Sequence, residues 1–248
     1  MKLIYGPVQS KRYGTTLGIN LLGDVKVCSY NCGYCRLGPT EMTMNKARKE
    51  YEFPSLEQIQ TAFRDNVKNP GTYNRIVISG NGEPTLHSDF DKAAEMIIEL
   101  RNQHFPGVPV AILSNGAHLD VKRVVNGMNL LDERVVKFDA GTDALLKKVN
   151  APLVRITVSK LLAGVRKLND CVVQSLFLTG AVDNTGTEAL DEWIEIVGMI
   201  KPKAVQICTL TDPGITPDIK ALSEDALDAI AFKVKKRTGL EAQVFSAK

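Results

Sequence analysis

At 248 residues, with 44% hydrophobic and 24% charged, the chain has an ordinary globular balance and can bury one sizeable core. Its formal net charge of +3 is mild and neither demands nor excludes an anionic partner such as RNA. No apolar run is long enough to span a bilayer, and the opening Met1-Lys2-Leu3-Ile4-Tyr5-Gly6-Pro7 lacks a secretory pattern. The expectation is a cytoplasmic protein of one domain over residues 1–248, with no membrane segment.

Strand-like and helix-like periods alternate almost from end to end. Leu17 to Leu22 is predicted as the first strand. Ser55 then reads as a helix N-cap with Gln58 as its capping-box partner, and Leu56, Ile59, Phe63 and Val67 form an apolar stripe. Arg75 to Ser79 is the second predicted strand, followed by a helix from about Ser88 to Gln103. Val110 to Ser114 is the third, with a short helix near Val121 to Met128, and Val135 to Phe138 is the fourth. Helices follow from about Thr142 and Ile156. Val172 to Thr179 is the fifth strand, before a helix from Thr187 to Ile200 that carries the single tryptophan, Trp193. Ala204 to Leu210 is the sixth, a helix from about Ser223 to Arg237 follows, and Glu241 to Ser246 adds a final strand. About six βα units argue for an α/β fold with a parallel sheet, either doubly wound and open or a partial barrel.

The polar motifs fall after the carboxyl ends of these strands, where parallel α/β folds bind ligands. After strand one comes Cys28-Ser29-Tyr30-Asn31-Cys32-Gly33-Tyr34-Cys35, a C-x3-C-x2-C triplet. Gly80-Asn81-Gly82-Glu83-Pro84-Thr85 follows strand two, Asn115-Gly116 strand three, and Asp139-Ala140-Gly141 strand four. Three thiolates so close can hold three irons of a [4Fe–4S] cluster and leave the fourth open. A structural zinc site needs a fourth Cys or His, and His87, His104 and His118 are distant; a disulfide framework fits poorly with five cysteines.

The triplet, with Tyr34 before its last cysteine, resembles the signature of the radical S-adenosylmethionine (radical SAM) superfamily. The likeness extends to the glycine–glutamate stretch Ser79 to Leu86, to Tyr5–Gly14, Leu17–Leu22 and Lys137–Gly141, all similar to the wyosine-type tRNA-modifying group. It covers about Tyr5 to Leu210 and implies a partial (βα)6 TIM-like barrel with a core over about 15–210, the rest being a C-terminal helix and strand over 215–248. It also implies that Cys28, Cys32 and Cys35 hold the cluster while Tyr34, Gly82, Glu83, Ser114, Asn115 and Asp139 lie against S-adenosylmethionine. Such an enzyme takes an electron from a flavodoxin- or ferredoxin-like donor in anaerobic conditions, cleaves the cofactor to a 5′-deoxyadenosyl radical and abstracts hydrogen from its substrate. The resemblance suggests an RNA base; a protein or peptide substrate, as for an activase or maturase, is the alternative, and a non-catalytic electron carrier is a third class. The chain departs from the wyosine group in having no cysteine before Cys28 for a second cluster, and no lysine is matched to the one that holds pyruvate there.

Several residues have simpler readings. Asp139 could be a helix N-cap. Cys171 and Cys208 are expected as small buried strand residues, Cys208 with a chance of facing the cavity. His87 and His118 are expected as loop histidines able to titrate near neutrality. The basic groups Arg166–Lys167 and Lys233–Arg237 read as helix ends, and Lys46, Arg48 and Lys49 as a candidate contact for an anionic substrate.

Overall fold

The computed structural model describes residues 2–43, 50–67, 72–211 and 214–246. The Lys46, Arg48 and Lys49 group lies outside them. Two compact units emerge. The first comprises 1–29, 40–114 and 118–135, and the second 30–39, 115–117 and 136–248.

In the first unit an antiparallel hairpin, β1 (Ile4–Ser10) and β2 (Gly14–Ile19), opens the sheet. Parallel β3 (Arg75–Ile78) and β4 (Val110–Ser114) follow in the order β1-β2-β3-β4. Their runs of Ile, Val and Leu suit parallel strands enclosed on both faces. Helix α1 (Leu56–Asn66) has the expected capping box: Ser55 accepts from the Gln58 amide and the Gln58 side chain accepts from the Ser55 amide. It buries Ile59 and Phe63, leaving Leu56 and Val67 at the edge of the stripe. Helices α2 (Phe90–His104) and α3 (Lys122–Leu130) complete the unit, whose core includes Leu17, Ile19, Ile76, Ile78, Phe90 and Ile97.

The hairpin corrects the first expected strand. Pairing begins at Gly14 and ends at Ile19, and Asn20 to Leu22 form a loop.

The second unit contains the end of β5 (Glu133–Lys137) and parallel β6 (Val172–Leu176), β8 (Ala204–Cys208) and β10 (Ala242–Phe245) in the order β6-β8-β10. Its helices are α4 (Asp143–Asn150), α5 (Val158–Val165), α6 (Thr187–Ile200) and α7 (Glu224–Thr238). Thr142, Thr157 and Ser223 cap α4, α5 and α7 through their side-chain oxygens. Trp193 anchors the core: its indole N–H donates to the Phe138 carbonyl at 2.9 Å, and its ring meets Phe177 edge to face at 4.9 Å. The fifth expected strand splits after Leu176. Leu178–Gly180, β7, leaves the main sheet to pair antiparallel with β9 (Ile219–Ala221). The basic residues of α7 sit in its last turn, where Lys235 pairs with Glu241 at 2.5 Å and Arg237 with Asp191.

Candidate functional site

In the first unit the chain entering the cysteine loop is held by the glycine–glutamate loop. Val27 donates to the Asn81 carbonyl at 3.0 Å, and the Val27 carbonyl accepts from Glu83 at 3.0 Å. Gly82 lies between them at φ +126°, and a Cβ there would meet the Val27 carbonyl oxygen at 1.9 Å. Glycine at this position therefore allows the close approach of the Val27 backbone. Cys28 itself donates its amide to the Met42 carbonyl at 3.2 Å. Asn20 and Asn81 close the arrangement by both donating to the Gly23 carbonyl at 2.7 Å.

Glu83 is 2% exposed and caps the 3₁₀ turn Pro84–Leu86. Its Oε1 accepts from the Thr85 hydroxyl at 2.7 Å and from the Ser114 hydroxyl at 2.8 Å. Two of the expected cofactor residues, Glu83 and Ser114, are thus joined directly. Ser29 is buried and hydrogen-bonds the Nε2 of His118. His87 is not a loop histidine on the surface: it is 2% exposed, its Nε2 donates to the Pro54 carbonyl at 2.9 Å, and its Nδ1 accepts from the Asp89 amide at 3.1 Å. Burial lowers its pKa.

In the second unit the cysteine loop turns tightly, with Cys35 donating to the Cys32 carbonyl at 3.0 Å. Gly33 donates to the Val149 carbonyl at 3.0 Å and accepts from Thr216 at 2.9 Å, and a Cβ on Gly33 would meet the Thr216 hydroxyl at 2.6 Å. Beside this turn lies a buried network centred on Asp139. Its Oδ1 accepts from the Leu176 amide at 2.8 Å and faces Lys137 Nζ at 3.1 Å. Its Oδ2 accepts from the Tyr34 hydroxyl and from Asn150 Nδ2, the latter at 2.7 Å. Asp139 is no N-cap; Thr142 performs that role. Tyr34 and Asp139, both expected at the cofactor, are brought together, and Lys137 lies 5.1 Å from the centre of the Tyr34 ring. Burial, then the Asp139 charge, pushes the Tyr34 phenol well above its usual range, so it remains a donor. Asn115 receives the Ala117 amide at 3.0 Å.

Sequence reading passed over Lys137, Asn150 and Asn184. Asn184 is 1% exposed and donates to the carbonyls of Asp139 and Leu176 at 3.0 and 2.8 Å. Lys137 opens the Lys137–Gly141 stretch but was given no role of its own, and the roles of Asn150 and Asn184 depend on contacts between distant segments that no period or motif marks. Cys171 is buried as expected, but Cys208, the last residue of β8, is partly exposed.

Cys28, Cys32 and Cys35 are in no disulfide, and each residue keeps some surface, although the Cys32 sulfur itself is buried. Among the described residues no three Cys, His, Asp or Glu side chains converge on one point as ligands of a single ion do. A cubane is consistent with that, because each cysteine binds a different iron. Burial pushes the Cys32 thiol up to about 11, eased by the Asn150 hydrogen bond. Iron bound there would reverse that balance, since a coordinating thiol is deprotonated outright. The soft, exchangeable donor set fits an iron–sulfur cluster.

The comparisons with known proteins agree with this chemistry. The family model described as the Radical SAM superfamily matches residues 25–181. A protein of Brachyspira hyodysenteriae described as GTPase Obg is 32% identical over 247 residues, 98% of this chain and 35% of that protein. This chain therefore spans about a third of the length of that relative. A UPF0026 protein of Synechocystis is 28% identical over 85% of this chain and 76% of its own length. Among solved structures, a radical SAM methyltransferase from Sphaerobacter thermophilus superimposes with a TM-score of 0.65 at 14% identity, covering 94% of this chain and 66% of that one. The structure of TYW1 with a lysine–pyruvate adduct bound gives 0.64 at 14% identity, covering 90% and 74%. At such identities the likeness is one of fold, the α/β partial (βα)6 barrel class expected from the sequence. The match across residues 25–181 makes this chain a member of the radical SAM superfamily, the family of enzymes that use a [4Fe–4S] cluster and S-adenosylmethionine.

Proposed function

We propose that the chain works as a single radical SAM domain over residues 1–248, with Cys28, Cys32 and Cys35 as the cluster ligands and a base of RNA as the substrate. The observation that carries the ligand assignment is the C-x3-C-x2-C triplet, none of it in a disulfide, inside the matched region. Cys28, Cys32 and Cys35 would hold the cluster, which would supply the electron for reductive cleavage of S-adenosylmethionine and so for hydrogen abstraction from the substrate. Gly82 and Glu83 present backbone carbonyls and a carboxylate suited to the ammonium of the methionine moiety. Ser114, fixed by Glu83, and Asn115 lie on the same strand end and serve the rest of the cofactor, with Asp139 near its ribose. Tyr34 shields the cluster edge, held by Asp139. A flavodoxin- or ferredoxin-like protein in the cytoplasm delivers the electron.

The RNA base rests on the likeness of the sequence motifs to the wyosine-type group. Anaerobic reconstitution with iron and sulfide, followed by dithionite and S-adenosylmethionine, should yield 5′-deoxyadenosine. Cys28→Ala, Cys32→Ala and Cys35→Ala should each abolish it and lower iron content. A cluster that reduces but never cleaves the cofactor would mark an electron carrier instead.

A further inference from the structure

Asn150, the last residue of α4, has no role in cofactor binding as read above, yet it is 2% exposed and its side chain touches a cluster ligand. We propose that Asn150 is a positioning residue whose side-chain amide, hydrogen-bonded to the Cys32 sulfur, raises the reduction potential of the cluster. The inference rests on the assignment of Cys32 as a ligand.

The geometry fixes where the amide points. Nδ2 lies 2.7 Å from Asp139 Oδ2, 3.2 Å from the Tyr34 oxygen and 3.4 Å from Cys32 Sγ. It has two hydrogens for these three acceptors. The shortest contact takes one of them to the carboxylate. The Tyr34 hydroxyl spends its own hydrogen on the same carboxylate, so the second amide hydrogen lies toward the phenol oxygen and the sulfur. Asn150 Oδ1, by contrast, is buried with no hydrogen-bond partner among the described residues. Turning the amide over would set Oδ1 against the Asp139 carboxylate, acceptor against acceptor, at the shortest contact. Asp139 cannot swing away either, since Leu176 and Lys137 hold its other oxygen at 2.8 and 3.1 Å. The stranded Oδ1 is thus the cost of keeping an N–H donor aimed at Cys32.

A donor so fixed has a definite electrostatic consequence. Hydrogen bonds to ligand sulfurs are among the determinants of iron–sulfur potentials, because they draw charge from the thiolate and favour the more negative, reduced cluster. Asp139 acts on Cys32 in the opposite sense through its charge, and Lys137 lies against that charge. Asn150 is the clean place to intervene, since removing its amide leaves both charges in place.

The test is an EPR-monitored redox titration of the loaded protein. Asn150→Leu and Asn150→Ala should retain iron and show a more negative midpoint than the unaltered protein; a midpoint equal to or above it overturns the proposal. A second measurement needs no stable variant. With asparagine labelled with ¹⁵N at the side-chain amide, pulsed EPR of the unaltered reduced cluster should reveal a weakly coupled nitrogen, and none would be fatal. If the unaltered protein assembles no [4Fe–4S] cluster, the ligand assignment falls and takes the proposal with it. If the cluster assembles and cleaves S-adenosylmethionine but neither midpoint nor coupling behaves as stated, only the role of Asn150 is lost.

Discussion

Gly82 lacks a side chain because the Val27 carbonyl occupies the space, 1.9 Å from where a Cβ would stand, and φ is +126°. Gly82→Ala should therefore cost about 2–4 kcal/mol, from backbone strain and steric overlap together. A lower denaturant midpoint, accompanied by poorer iron retention through the displaced Val27–Cys28 backbone, would confirm it; an unchanged midpoint would refute it. His87 gives a prediction in pH. Burial lowers its folded pKa below that of the unfolded chain, so the unfolded state binds more protons as pH falls. Its contribution is complete above the unfolded value near 6.5 and is lost as pH drops from there through the lowered folded value. Protonation would also cost Nδ1 its hydrogen bond from Asp89. Thermal midpoints should thus fall from pH 7 toward pH 5, and His87→Gln should flatten that slope. Neither role was fully legible beforehand. The sequence places Gly82 in a glycine-rich motif, but the Val27 carbonyl that approaches it comes from another segment. Likewise a histidine after a turn reads as exposed until Pro54 is seen to cover it.

Helices with polar caps were the most legible elements. Ser55–Gln58 forms the full reciprocal capping box, and Ser55→Ala should lower stability by about 1 kcal/mol. A urea titration with unchanged slope and a shifted midpoint checks this; no shift means that the box is dispensable. Thr187–Ile200 and Val110–Ser114 begin and end where their periods predict. The strands that escaped notice share a physical reason. Hairpin strand β1 buries only Ile4 well and contains Gly6 and Pro7, so it shows no alternation; an edge position tolerates that composition. The pair β7–β9 is short, and Ile219–Ala221 is largely exposed. The break falls at Phe177, whose ring packs against Trp193: Leu176 before it still pairs with Cys208, while Leu178 after it pairs with Ala221 of β9.

For the molecule as a whole, a net charge of +3 neither demands nor excludes RNA, so the salt dependence of binding is the informative measurement. With on the order of three phosphates neutralised, tRNA affinity should drop roughly 10- to 50-fold for a fourfold rise in salt. Affinity indifferent to salt, or no binding, would remove RNA from consideration and favour a peptide. The chemical character of the protein was plain from eight residues, yet the support for those residues was not. Gly33 receives the amide of Thr216, and Gly214, without a Cβ, packs against the Gly33 carbonyl. The shape of the turn is thus borrowed from a stretch far along the chain. A synthetic octapeptide with the same cysteines, or a graft of it into a foreign scaffold, would inherit the sulfurs without the backbone that steadies them.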